Sequence, residues 1–303
     1  MGSGAGAQYD PQAVSRFYDG YGEREWDRLD GSPRGRIAYA IHSAMLFEHI
    51  EPGMRVADVG CGPGRFAMAM IRAGAKVTLV DISSVQLDAA LARIDSAGLR
   101  HGVQDVRVAD VCELHGVDDS FFDAVVCFGG ALSYARERHR EGLRELIRIA
   151  RPGAPILFSV MSLLGTLMLA GTLDSENFLA RIAEHIDWLP QAGVPPFALT
   201  LAGSDEFHLP MALFTAGYLE GLLTDSGCEL LAMAASNPIS RMGLGLERIA
   251  ASPEAVAQLE AIELAMSRYP GVLDGGEHIV VAGRKRPSAR GASHDDSSRD
   301  DLG

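Results

Sequence analysis

The sequence predicts an α/β fold built on a doubly wound, mostly parallel sheet with helices on both faces. Three observations carry this reading. Short apolar runs alternate with helical stretches through the middle of the chain. One of them, Phe122 to Phe128, is apolar almost throughout, as expected of a parallel strand covered by helices on both sides. Another, Val56-Ala57-Asp58-Val59, runs into glycines at 60, 62 and 64, a strand leading into a loop that lets a ligand approach the backbone closely.

In chain order, residues 11 to 29 read as helical, with Phe17, Tyr18, Tyr21 and Trp26 interleaved with Asp19, Glu23, Glu25 and Asp27. The strand ending near Asp58 and its glycine loop follow. A second strand, Lys76 to Val80, delivers Asp81, 23 positions after Asp58. That spacing suits a carboxylate that grips a ribose, although Ser83 and Ser84 beside it leave a helix cap as the plainer alternative. A third strand, Val106 to Ala109, ends at Asp110. The fourth, Phe122 to Phe128, opens into Gly129-Gly130-Ala131-Leu132-Ser133-Tyr134. Leu143 to Ala150 reads as a helix, Arg151-Pro152-Gly153 as its stop, and Ala154 to Val160 as the fifth strand. Met161 to Pro210 is an insertion rich in proline and aromatic residues, followed by a helix over Leu213 to Ser226. The strand Glu229 to Ala235 and an insertion, Asn237 to Asp274, come next. The insertion carries an amphipathic helix marked by Val256, Leu259, Ile262, Ala265 and Met266. The last strand is His278 to Arg284.

Composition narrows the function. The formal net charge is −13, with 40 acidic against 27 basic residues, which argues against a nucleic-acid partner. The arginines at 136, 138, 140, 144 and 148 alternate with acids and read as a solvated helix face. Cysteines 61, 112, 127 and 228 show no metal-ligand spacing, so no metal and a reduced, cytoplasmic setting are expected. The N-terminus lacks the pattern of a signal peptide, and no apolar run is long enough to span a bilayer. No membrane partner is expected, and a homodimer stays open.

A dinucleotide loop would place its third glycine at Arg65. The pattern Asp58-x-Gly60-x-Gly62-x-Gly64 instead resembles motif I of the class I S-adenosylmethionine-dependent methyltransferases, and later segments match that family in order over residues 54 to 160. The resemblance implies a Rossmann-like sheet with an antiparallel last strand and S-adenosyl-L-methionine as cofactor. It implies a cofactor site of Asp58, Gly60, Cys61, Gly62, Gly64, Asp81, Ile82, Gln86, Asp110, Val111, Phe128 and Gly129. Tyr134 would stand where the segment after the fourth strand faces the acceptor.

The expected organisation is an N-terminal helical lid (1–50), a cofactor-binding core (51–160), a cap insertion (161–212), completion of the core (213–286) with a helical insertion at 237–274, and a disordered tail (287–303). For a hydroxyl or ammonium acceptor the proton would go to a histidine at the active-site edge, His278 first and His208 second. The function expected is methyl transfer to a small-molecule acceptor. Two alternatives stay open: another S-adenosylmethionine outcome, such as cyclisation or aminocarboxypropyl transfer, and a non-catalytic binding protein retaining the fold. The absence of an Asn-Pro-Pro-Tyr type motif after the fourth strand lowers the odds for adenine or glutamine targets, and the acceptor atom stays open between oxygen, nitrogen and carbon.

Overall fold

A computed structural model describes residues 8–173, 209, 211–240 and 246–287. The expected site histidine at 208, most of the cap insertion and the tail from 288 lie outside these residues. Seven strands form one sheet in the order β3-β2-β1-β4-β5-β7-β6. They are β1 (Arg55–Val59), β2 (Lys76–Asp81), β3 (Val103–Val108), β4 (Ala124–Cys127), β5 (Pro155–Met161), β6 (Cys228–Ser236) and β7 (His278–Lys285). β7 runs antiparallel to both β5 and β6, and every other pairing is parallel. The doubly wound sheet with an antiparallel last strand is thus the architecture found.

The helices are α1 (Pro11–Tyr21), α2 (Arg24–Asp27), α3 (Pro33–Phe47), α4 (Arg65–Arg72), α5 (Ser84–Ser96), α6 (Ala131–Tyr134), α7 (His139–Ile149), α8 (Leu163–Leu173), α9 (Ala216–Asp225), α10 (Leu246–Ala250) and α11 (Pro253–Met266). Alternate residues of one strand feed opposite cores. Val125 and Cys127 of β4 join Leu143, Leu146 and Ile149 of α7 and Leu219 and Leu223 of α9. Ala124 and Val126 of the same strand join Ile37, Ile41 and Met45 of α3, Met68 and Met70 of α4, and Leu87 and Ile94 of α5. This two-sided burial is why the strand reads as continuously apolar.

Several boundaries differ from the sequence reading. The helical region expected over 11 to 29 is two helices, broken where Gly22 takes φ +56° at the end of α1. Helix α3 falls within the helical region expected over 1–50, but it packs into the core and is not part of a lid. Ser32 caps it through the Gly35 N–H, and Pro33 begins it. The helix expected from Leu213 starts at Ala216, because Phe214 is drawn into a bridge beside the end of β5 and Thr215 caps the helix. Helix α7 begins at His139 rather than Leu143, and β3 begins at Val103 rather than Val106.

Candidate active site

Because β1 and β2 pair in parallel with Asp58 opposite Leu79, both strands end at the same edge of the sheet and deliver their carboxylates there. Asp58 is 2% exposed, and its Oδ2 has no hydrogen-bond partner among the described residues. Burial, reinforced by the nearby charge of Asp81, pushes its pKa up to about 7. Asp81 accepts from the Gly62 N–H at 2.7 Å through Oδ2 and from the Ser83 N–H at 2.9 Å through Oδ1. Burial pushes this carboxyl up to about 6 against those hydrogen bonds. Helix α5 is capped by Ser83, whose Oγ accepts from the Gln86 N–H, so Asp81 ties the glycine loop to the start of α5 without being the cap.

A cleft of about 890 Å³ opens at this edge. Ten of the twelve residues expected to hold the cofactor line it: Asp58, Gly60, Cys61, Gly62, Asp81, Ile82, Asp110, Val111, Phe128 and Gly129. The other two stand outside its lining. Gly64 is the positive-φ residue before α4 (φ +82°), and a Cβ there would meet Ala90 Cβ at 2.9 Å. Its glycine lets α4 pack against α5. Gln86 is buried and turns its amide to the N-terminal helices, with Nε2 donating to the carbonyls of Tyr18 (3.0 Å) and Gly22 (3.2 Å).

Helices α1 and α2 lie across this cleft and are held by side chains that belong to it. The Tyr9 hydroxyl donates to Asp110 at 2.8 Å, Ser15 Oγ to the Ile82 carbonyl at 3.1 Å, and Ser83 Oγ to Asp19 at 2.6 Å. The Arg65 guanidinium lies 3.9 Å from the Trp26 ring centre and donates to the Trp26 carbonyl. Glu25 of α2 and Arg28 just after it form an ion pair at 2.7 Å, and both line the cleft. Burial works against the Arg28 charge, yet Glu25 holds its pKa above the ordinary value. Glu25 also sits over the glycine loop, its Cγ 3.6 Å from where a Cβ of Gly62 would be.

A second hollow, of about 1050 Å³, adjoins the first. Tyr18, Glu25, Arg28, Leu29, Gly129 and Tyr134 line both. Tyr134 and His278, two of the three residues expected to act on the acceptor, meet here, together with Glu277, Met161 and Met211. The turn between the hollows is fixed from below: Gly129 N–H donates to Ser159 Oγ at 3.0 Å and Met161 N–H to Ser133 Oγ at 2.9 Å. His278 is 4% exposed and its ring packs edge-on against that of His42 at 5.7 Å. His42 donates from Nδ1 to the Ala38 carbonyl, and burial lowers its pKa to about 4, so this second ring is neutral. Among the described residues, no cluster of histidine, cysteine and acidic side chains could hold a metal ion.

Sequence reasoning missed Tyr9, Arg28, Arg34 and Arg65 as lining residues. The pair Glu25 and Arg28 sits at a spacing that ordinarily marks a solvated helix face. Only the fold turns it inward.

The residues fit the cofactor that the resemblance implies. Asp58 supplies a buried oxygen lacking a partner, Asp81 a carboxylate beside an open backbone, and the cleft a set of acids suited to a cationic ligand.

Comparison with known proteins places the chain in a family and a fold. Residues 56–153 match the model of a methyltransferase domain. The chain is 31% identical over 177 residues to a ubiquinone biosynthesis O-methyltransferase of Alkalilimnicola ehrlichii, covering 58% of this chain and 67% of that protein. It is likewise 31% identical over 188 residues to the ubiquinone biosynthesis O-methyltransferase of Xanthomonas axonopodis pv. citri, covering 56% and 75%. Among solved structures, the [4+2]-cyclase SpnF shares the fold at a TM-score of 0.57 and 19% identity, with 94% of this chain and 100% of that chain aligned.

Proposed function

Because this chain belongs to the class I S-adenosylmethionine-dependent methyltransferases, with S-adenosylmethionine as cofactor, we propose that it methylates an oxygen of a small molecule held in the hollow beside the cofactor cleft. The observation that carries this reading is that hollow itself. It meets the cleft at Gly129 and Tyr134 and is lined by aromatic and sulfur side chains beside a few polar groups. The name shared by the two relatives favours oxygen over nitrogen or carbon.

When bound, S-adenosylmethionine supplies an electrophilic methyl carbon. The protein's part is to hold, orient and dry the reactants. Asp81 would take the ribose hydroxyls and Asp58 a cationic group of the cofactor, each replacing lost water with a charged hydrogen bond. Asp110 and Val111 would flank the adenine. Tyr134 and the Gly129 turn would separate cofactor from acceptor, leaving only the line of transfer open. His278 would receive the acceptor's hydroxyl proton as the oxygen attacks. In this organisation helices α1 and α2 would act as a lid over the cofactor, while α3 packs into the core that supports the site.

The test is a set of hydroxylated small molecules incubated with methyl-labelled S-adenosylmethionine. Label in the acceptor with stoichiometric S-adenosylhomocysteine supports the reading. Methylthioadenosine would instead mean transfer of the aminocarboxypropyl arm, and a rearranged acceptor with intact cofactor would mean cyclisation.

A further inference from the structure

The groups at the active edge follow the order of the sheet. Asp110 after β3, Asp81 ending β2, Gly60 after β1, Gly129 after β4, and Met161 paired with His278 where β5 meets β7 succeed one another along that edge. The second hollow takes Gly129, Met161 and His278 from the far end of this series. A cofactor that delivers a methyl group into that hollow must therefore hold its sulfonium near Gly129, its ribose at Asp81 and its purine beyond, beside Asp110. The walls at this end suit a flat ring. Tyr9, Val14, Ile82, Ala109 and Val111 line the cleft, and none of them lines the hollow.

Asp110 is held in one orientation. Its Oδ1 accepts from the Tyr9 hydroxyl at 2.8 Å and from the Cys112 N–H at 2.9 Å, and the Cys112 thiol adds a weaker contact to the same carboxylate. Oδ2 is left clear of the O–H and N–H bonds. Tyr9 is itself fixed at a second point, since its backbone N–H donates to Glu137 at 2.6 Å. Burial and the neighbouring Asp110 carboxylate hold its phenol above the ordinary pKa, so the hydroxyl stays a proton donor. With both bonds on one oxygen, the carboxylate cannot turn without losing at least one of them.

We infer that Tyr9 is a positioning residue for the cofactor's purine: by holding Oδ1 of Asp110 it aims Oδ2 at the 6-amino group, and its ring forms one wall of the slot. An amine donates to a carboxylate, whereas a 6-oxo group presents lone pairs to it and is repelled. The inference rests on S-adenosylmethionine as the cofactor and on transfer toward the second hollow.

The experiment is a calorimetric titration of the full chain with S-adenosylhomocysteine and with S-inosylhomocysteine, which carries a 6-oxo purine in place of adenine. The wild-type protein should bind the adenine form at least about tenfold tighter. Tyr9→Phe keeps the wall and loses the hydroxyl, so this preference should fall about three- to tenfold. Asp110→Asn should reverse the preference. The Tyr9 O–H and the Cys112 N–H still require an acceptor, which keeps the amide oxygen at the Oδ1 position and turns the amide NH2 to the purine, where a 6-oxo group accepts from it. The preference is a ratio taken within one protein sample, so it is read equally well from a variant of reduced stability. Equal loss of affinity for both ligands in Tyr9→Phe, with the preference unchanged within about twofold, overturns the inference and makes Tyr9 an anchor of the N-terminal segment alone. So does a wild-type preference under about threefold, or an Asp110→Asn variant that still prefers the adenine form. In each of these cases bound S-adenosylhomocysteine keeps the cofactor assignment intact. If the wild-type protein binds neither ligand, that assignment falls and takes this inference with it.

Discussion

Cofactor binding should tighten steeply as pH rises through the range where Asp58 and Asp81 ionise. Both carboxyls are buried and held high, Asp58 at about 7 and Asp81 at about 6. Their charged forms are disfavoured until a cation replaces the lost water. S-adenosylmethionine carries that cation, so it binds the ionised site and must displace protons at lower pH. Between about pH 7 and about pH 5.5, the ionised fraction falls about 15-fold for Asp58 and about fourfold for Asp81. The dissociation constant should rise by about 15- to 60-fold over the same interval, the upper figure applying if both groups must be ionised. The sign for stability is opposite. A carboxyl raised in the folded state favours folding at low pH, with that contribution fully present below about 4 and lost as pH passes 7. For Asp58 it amounts to about 4 kcal/mol at most. The unliganded protein should therefore lose this stability with rising pH, and the thermal shift given by cofactor should be largest at the alkaline end. Calorimetry in two buffers of different ionisation heat counts the protons released, and Asp58→Asn should remove the larger part of the dependence. A dissociation constant flat within about twofold across the interval, or no proton release near pH 6.5, would refute the reasoning.

Asp81→Ala should weaken cofactor binding at least about tenfold by removing charged hydrogen bonds to the ribose. It should also lower the melting temperature, since the Gly62 and Ser83 N–H groups lose their acceptor; unchanged affinity would reduce Asp81 to that structural tie. Gly64→Ala should destabilise the fold by about 1–3 kcal/mol, because a left-handed backbone and a 2.9 Å approach to Ala90 Cβ act together. Chemical denaturation measures this, and a loss under about 0.5 kcal/mol would mean that α4 and α5 move apart freely. His278→Ala should lower turnover by about 10² to 10⁴ while cofactor affinity persists, and a loss under about threefold would assign catalysis to positioning alone.

The parts of the fold that were legible share one property: their signal is local. β1, β2 and β4 are apolar runs whose ends carry acids or glycines, and two-sided burial makes them conspicuous. Helix α3 escaped notice as a core helix because its buried face is broad. It buries Ile37, Ala38, Ile41, His42, Met45 and Leu46, so no narrow stripe marks it. The usable sign was the Ser32-Pro33 start. The site divides in the same way. Strand-end residues reach the cleft by the logic of the sheet, so their order along the chain exposes them. Tyr9 reaches Asp110 across 101 positions, and nothing near Tyr9 announces the contact. Gln86 shows the converse. Its place just after β2 invites a cofactor role, yet packing turns its amide toward α1.

The amide of Gln86 is one of the ties on the helix under which the cofactor would enter. Helix α1 buries none of its residues fully, so little of its hold on the protein is hydrophobic. It is retained mainly by polar ties: Asp19 to Ser83, Ser15 to Ile82, and the Tyr18 and Gly22 carbonyls to Gln86. Ties of this kind contribute about 0.5–1.5 kcal/mol each. Helix α1 should therefore open with only a few kcal/mol, far below global unfolding. Cofactor in the cleft touches both sides of the opening, so it should lock the helix shut. Amide hydrogen exchange over residues 11–21 should be fast in the free protein and slow by at least about tenfold with saturating cofactor. Gln86→Ala removes two ties at once. It should speed exchange over this helix in the free protein, whereas cofactor affinity should change little as long as the closed helix still predominates. If exchange over 11–21 is equally slow with and without cofactor, the helix is fixed packing and the cofactor enters by another route.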